Sequence, residues 1–444
     1  MPDERITLVL SDLHVGGGAA DPGDDHVYHE NQLVNFITQQ TASAEGQAGR
    51  IELFFNGDFL EFAQTFTGAF AHDNDKAWCT QTESLQKLEV IIAGHPDIFE
   101  ALKAFQAAGN QVTIAAGNHD VDLYWSKVQA RIREVAGDGT LFEIGKEWVE
   151  RYDGLLQIGH GHMVDPANRF KNWAKPLAQA SGEEERLEMC PGTLFMVKFV
   201  NPLEAEYPFA DNLLPVTKLA SALLRDDRSG FRSVAWAFAR FVGTTSPAVL
   251  GKPAEDAYGT RLLNRFRQSK ARRDELNQAL RDHDPGASHG FSGPAEVTEE
   301  RLAKAMFALL GRMDIAHWRA LFELGASPTL AAGKGGVTLS ALVKSGFVDG
   351  FKEQRTAAER RAQEKKARVI VMGHTHQPDN IALGGAIYYN PGSWTRYLQL
   401  GKEQTISLED LRDESRYPYV LNVVRVERVD GALKSEMMCV DRFP

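Results

Sequence analysis

A chain of 444 residues with a formal net charge of -11 and 25% charged residues has room for two or three domains and a large buried core. It lacks an apolar run long enough to span a bilayer, and its charged opening Met1-Pro2-Asp3-Glu4-Arg5 is unlike a secretory leader, so a cytoplasmic location is expected. Overall acidity argues against sequence-independent binding to nucleic acid, and Cys79, Cys190 and Cys439 are too scattered for a disulfide framework.

Strands and helices alternate over the first 165 residues. The apolar run Ile6–Leu10 leads into Ser11-Asp12-Leu13-His14, and a helix is expected near 30–40. A second run, 51–55, ends in Gly57-Asp58. Helices follow over about 76–92 and 97–107, the latter closed by Gly109-Asn110 before a strand at 112–116 and Gly117-Asn118-His119-Asp120. Residues 140–160 read as a hairpin of runs 141–144, 148–152 and 155–158, turning at Asp153-Gly154 and ending in Gly159-His160-Gly161-His162.

From about 200 to 365 helical periodicity dominates, with candidates at 213–224, 234–242, 262–280, 299–310 and 316–324. Breaks rich in Pro, Gly and Ser separate them at 243–253 and 284–294. A charged helix at 352–368 then feeds the strand 369–372 and Gly373-His374-Thr375-His376; a strand at 386–389 precedes Asn390-Pro391-Gly392-Ser393-Trp394. This divides the chain into a core made of 1–199 and 366–444 and a mainly helical insertion, 200–365. Residues 201–370 are basic, with 26 Lys and Arg against 20 Asp and Glu, whereas the remainder has 23 against 40.

Each motif alone reads as a solvated turn. Five of them, all after strand-like runs, hold six of the thirteen histidines. A sheet delivers functional groups from the carboxyl ends of its strands, so these motifs can converge. They offer enough oxygen and nitrogen ligands for two cations sharing one carboxylate. Carboxylate, amide and imidazole without thiolate suit Mn²⁺, Fe or Zn²⁺ better than Mg²⁺ or Ca²⁺ alone.

In their order and wording these motifs resemble the calcineurin-like metallophosphoesterase superfamily, whose pattern is Asp-x-His, Gly-Asp-x-x-(Asp/Glu), Gly-Asn-His-(Asp/Glu), a Gly-His or His-Gly motif and Gly-His-x-His. The second element here reads Gly57-Asp58-Phe59-Leu60-Glu61. The opening and the Asn390–Trp394 turn are similar to the bacterial branch with UDP-2,3-diacylglucosamine pyrophosphohydrolases. The resemblance implies an α/β fold, a four-layer α/β/β/α sandwich, with the helical insertion as a cap. It implies Asp58 as the bridging carboxylate, Asp12, His14 and His376 at one metal, and Asn118, His160 and His374 at the other. Manganese is the metal it favours.

The same resemblance gives His119 the leaving group, with Asp120 holding its tautomer, and leaves His162 outside or beside the ligand set. It implies hydrolysis of a phosphodiester, pyrophosphate or phosphomonoester bond in a small phosphorylated substrate, by a hydroxide bridging two metal ions. Two alternatives stay open. One is a DNA-repair nuclease of the SbcD/Mre11 kind, although its cap follows the final motif and only about seventy residues follow it here. The other is a catalytically silent scaffold. The insertion reads as a structural cap, a substrate-selecting lid, or a membrane or oligomer contact through Trp236, Phe238 and Phe241 beside Arg232 and Arg240. His26 and His29 fall near an acidic loop; His72, His95, His283, His289 and His317 carry no signal.

Overall fold

Runs such as Ile51-Glu52-Leu53-Phe54-Phe55 are apolar almost throughout, which suits a strand covered on both faces. The computed structural model describes residues 5–18, 30–65, 77–178, 184–204, 255–283, 290–309, 351–396, 398–400, 404–413 and 420–440, with 207, 212–214, 217–227, 234, 321 and 416–417 besides. In chain order the core elements are β1 (Ile6–Leu10), α1 (Glu30–Ala42), β2 (Ile51–Asn56), α2 (Gln81–Gly94), α3 (Pro96–Ala107), β3 (Gln111–Ala115), α4 (Ser126–Ala136), β4 (Leu141–Glu143), β5 (Val149–Arg151) and β6 (Leu156–Ile158). After the insertion come α5 (Phe351–Lys365), β7 (Val369–Val371), β8 (Asp379–Leu383), β9 (Ala386–Asn390), β10 (Asn422–Val429) and β11 (Ala432–Cys439).

Two mixed sheets result. The first runs β11-β10-β1-β2-β3-β4, with β1 to β4 parallel; the second runs β8-β9-β7-β6-β5, with β6, β7 and β9 parallel. Strand alternation decides what each face meets. Leu8, Leu53, Phe55 and Ile114 pack with Phe36 of α1, Leu88 of α2, Phe99 of α3 and Ile132 of α4. Val9, Phe54 and Ala115 face the other way, onto Val149, Ile158 and Val371 of the second sheet. The outer face of that sheet, Ile370 and Tyr388, is covered by Ala358 and Ala362 of α5.

The expected hairpin is corrected by this topology. Leu141–Glu143 pairs in parallel with β3, while β5 and β6 make the antiparallel pair in the other sheet. The helix Ser126–Ala136 supplies the crossover that a parallel neighbour requires. Helix α2 also starts later than expected, because Ala77–Thr80 is a strand and Thr80 caps the helix in a capping box with Glu83.

Within the insertion, the expected helix 213–224 becomes a short strand, Leu213–Leu214, followed by helix Thr217–Asp226. The 262–280 stretch is two helices, Glu255–Gln268 and Lys270–His283, and Glu299–Leu309 is helical. Apart from Val234 and Leu321, the expected helices 234–242 and 316–324 lie outside the described residues. Leu219, Leu262, Phe266, Leu276 and Leu302 form a cluster that also takes in Ile406, Leu408 and Leu411 from beyond the last motif. Helix α5, expected at the end of the insertion, packs on the second sheet.

Between the sheets, buried Glu52 receives the Arg151 guanidinium at 2.8 Å and the hydroxyls of Thr113 and Thr7 at 2.8 and 3.2 Å. Removing the cation alone would strand a buried carboxylate. Arg151→Met is therefore expected to cost about 3 kcal/mol, read as a lower urea midpoint. An unchanged midpoint would show that the two hydroxyls suffice.

Candidate metal centre

β1, β2 and β3 of the first sheet and β6 and β7 of the second each hand over to one of the five motifs at the carboxyl end. Their loops are sewn together by the backbone: His14 N–H donates to Asp58 O at 2.9 Å, and Gly373 N–H to His160 O at 2.8 Å. Asp12, His14, Asp58, His374 and His376 all sit in the left-handed region, with φ of 55°, 51°, 49°, 72° and 58°. Such conformations cost energy for residues with a Cβ, and their concentration at one place marks a functional site.

The motif glycines make room for neighbouring ligands. A Cβ on Gly117 would lie 2.2 Å from Asp58 Oδ1, and one on Gly373 would lie 1.9 Å from Ser11 Oγ and 2.5 Å from Asp12 Oδ2.

Side-chain donor atoms gather in three overlapping groups, each within 4.8 Å: Asp12, His14 and His376; Asp58, His160 and His374; and His14, Asp58 and His119. His14 Nε2 and His376 Nε2 are 3.0 Å apart, and His376 Nε2 is 3.4 Å from Asp12 Oδ1. His160 Nε2 is 3.1 Å from Asp58 Oδ2. Asn118 Oδ1 is buried with no hydrogen-bond partner among the described residues. Converging nitrogens and an orphaned amide oxygen fit a site built for cations. Several ring nitrogens on the far side are already engaged: His14 Nδ1 by Glu61 at 2.6 Å, and His160 Nδ1 by Asn56 O at 2.8 Å. Such outer partners fix which nitrogen faces a metal.

The expected partnership of Asp120 with the His119 ring is corrected. Asp120 instead accepts backbone N–H groups from Gly117 at 2.6 Å and Phe59 at 2.9 Å, tying two motif loops together. His119 Nδ1 meets Glu61, at 2.8 and 3.0 Å. Glu61 thus grips His14 and His119 at once. The sequence contained this residue in the Gly-Asp-x-x-(Asp/Glu) motif, but its i+3 spacing from Asp58 does not say where its carboxylate points.

His162 stands outside all three groups. Its ring packs against Trp173 at 4.3 Å, and neither nitrogen has a hydrogen-bond partner among the described residues. Burial, with His160 and His374 nearby, drives its pKa well down. The Asn390–Trp394 turn is a brace: Ser393 Oγ donates to Asp12 O at 2.8 Å, and Asn390 Nδ2 to Gly373 O at 3.0 Å. His26, His29, His72, His289, His317 and the Trp236–Phe241 stripe lie outside the described residues. Among the described residues no helix is long and apolar enough to cross a membrane.

The family model of the calcineurin-like phosphoesterase superfamily domain matches residues 291–414, the segment that carries the last histidine motif. The likeness to this superfamily lies in that segment, which is less than half of the chain. Metal-dependent hydrolysis of phosphoesters is the general chemistry of that superfamily. No curated protein matches the chain. Among solved structures, a double mutant of Vps29 from Entamoeba histolytica is 20% identical over 19% of this chain and 46% of its own, with a TM-score of 0.10. Wild-type Vps29 complexed with zinc, from the same organism, is 22% identical over 19% and 47%, with a TM-score of 0.11. The chain spans about half the length of these solved structures.

The site's own charges predict how a cation would be taken up here. Burial opposes the charge on His160, but Asp58 and Asp12 outweigh it and raise its pKa to about 10. Its proton is therefore present in the metal-free fold at pH 8, and a cation at Nε2 must displace it. Metal uptake at pH 8 is expected to release about one proton and to tighten as pH rises toward 10. Calorimetry in buffers of different ionisation enthalpy reads this directly; a buffer-independent heat would contradict it. In the metal-free protein the same raised pKa stabilises the fold below about 6.5, and that stability is lost as pH climbs through about 10.

Proposed function

We propose that this chain is a hydrolase of phosphodiester, pyrophosphate or phosphomonoester bonds in a small phosphorylated molecule, working with two divalent cations on a four-layer α/β/β/α sandwich under a helical cap. The convergence of ligand-type side chains from five separate loops, with Asn118 Oδ1 orphaned among them, carries this reading. Asp12, His14 and His376 would hold one cation, and Asn118, His160 and His374 the other, with Asp58 between them. Bound there, the cations would polarise a phosphoryl oxygen and lower the pKa of an attacking water. Manganese is our choice of metal, with iron or zinc as the alternatives that the same nitrogen and oxygen donors accept.

His119 serves the leaving oxygen. Although burial disfavours its charge, Glu61 and Asp58 raise its pKa to about 9, so it carries a proton at neutral pH. Glu61 engages Nδ1 and so leaves Nε2–H for donation. Burial works against the Glu61 charge as well, but His119 and His14 hold its pKa well below the usual carboxylate range. Glu61 therefore stays an acceptor.

Within the class we favour a small diester or pyrophosphate, following the resemblance to the lipid-nucleotide branch, and a cytoplasmic setting. The decisive assay uses metal-stripped protein on nitrophenyl phosphate monoester and diester, before and after adding Mn²⁺. Manganese-dependent turnover is expected. Protein that neither binds metal nor turns over either ester would refute the proposal in favour of a silent scaffold.

A further inference from the structure

Asp165 and Asn168 lie just beyond Gly159-His160-Gly161-His162 and have no part in the ligand sets above. Both nevertheless reach them. Asp165 Oδ2 is 3.1 Å from His374 Nε2, across 209 residues of sequence. Asn168 Nδ2 donates to the same Asp165 oxygen at 2.7 Å, while its Oδ1 accepts from Asn118 Nδ2 at 3.4 Å. An unbroken chain of contacts therefore runs Asn118, Asn168, Asp165, His374. Its two ends are the two ligands assigned to one cation together with His160.

We propose that Asp165 and Asn168 form an outer clamp that aims Asn118 and His374 at one metal position, an inference that rests on the metal-dependent reading above. Each contact resolves an ambiguity that the ligand cannot resolve alone. A histidine can bind through either nitrogen. With Nε2 of His374 turned to a carboxylate, Nδ1 is the nitrogen left to face Asp58 and His160. An amide can present either end, and only its oxygen binds a cation. Asn168 Oδ1 takes the Asn118 NH₂ group, so Asn118 Oδ1 points the other way, where it is buried without a hydrogen bond.

The clamp is itself held. Asp165 Oδ1 accepts from Ala167 N–H at 2.9 Å, and Gly192 N–H donates to Ala167 O at 2.8 Å. A Cβ on Gly192 would lie 1.9 Å from Asn168 Oδ1, so only glycine lets the 190–193 backbone back the amide this closely. Among the described residues, Asp165 and Asn168 make hydrogen bonds to His374 and Asn118 and none to Asp12, His14 or His376, so the clamp acts on one position of the pair.

That one-sidedness is the test. Asp165→Ala and Asn168→Ala are expected to weaken one of two Mn²⁺ sites about 10–100-fold and leave the other as in the parent, by calorimetric titration of the stripped full chain. At limiting metal, electron paramagnetic resonance should change from the coupled-pair spectrum of the parent to that of isolated Mn²⁺. Asp165→Asn keeps a carbonyl acceptor for His374 and should stay within a few-fold of the parent, which a general loosening of the loop would not allow. Should Asp165→Ala fail to fold, Asn168→Ala and Asp165→Asn decide. Two Mn²⁺ held at parental affinity in the alanine variants, or both sites lost equally, would overturn the clamp. A parent chain that binds no Mn²⁺ at all would instead bring down the metal-dependent reading itself.

Discussion

Asp58→Asn is expected to remove activity and metal together. Asp58 is the one carboxylate shared by two of the three donor groups, with Oδ2 3.1 Å from His160 Nε2 and Oδ1 accepting His119 N–H at 2.8 Å. Asparagine keeps the size and one oxygen, so packing survives while the charge between the cations is lost. A fall of at least about 10³-fold in kcat/KM follows, which is roughly 4 kcal/mol of transition-state stabilisation. Metal counted by mass spectrometry after dialysis should drop below the parental stoichiometry. A variant with full metal and more than a tenth of parental activity would show that Asp58 does not bridge.

His119→Asn should separate what Asp58→Asn joins. Its Nδ1 is already engaged by Glu61, so removing the ring takes away a proton donor and leaves the carboxylate, imidazole and amide ligands in place. We expect kcat to fall about 10²–10⁴-fold with metal content unchanged. The loss should be smaller for substrates whose leaving groups are good enough to depart unprotonated. If metal leaves with the ring, His119 is a ligand, as its membership of the group with His14 and Asp58 would allow, and the acid must be sought elsewhere.

What could be read from the chain was whatever depended on neighbours in sequence. The five strand-to-loop motifs are local: an apolar run, a glycine (Ser11 in the first), then a residue of ligand type. The structure brings Asp12, His14, Asp58, His160, His374 and His376 into groups that those spacings only suggested. The pairing of Leu141–Glu143 was not local, because a parallel partner is chosen by the whole crossover, whereas Asp153-Gly154 advertises a hairpin to anyone reading ten residues. Glu61 takes the duty expected of Asp120 for a similar reason. Adjacency to His119 favoured Asp120, but the chain turns its carboxylate back onto the amides of Gly117 and Phe59. The left-handed backbone at Asp12, His14, Asp58, His374 and His376, and the reach of Asp165 to His374, have no sequence signature at all.

Asp12 and His374 touch across 362 residues, as do His14 and His376. Strands β1 to β3 can pair early in synthesis, yet the two donor groups that include His374 or His376 stay open until β7 has docked beside β6. Closing a loop of that length is entropically slow to come by, and nothing local rewards it in advance. A ribosome-bound chain that stops short of residue 374 would therefore present half-built pockets, with only Asp12 and His14 from the first group and Asp58, Asn118 and His160 from the second. On the metal-dependent reading, both cations would be held only after translation of the insertion and of residues 374–376.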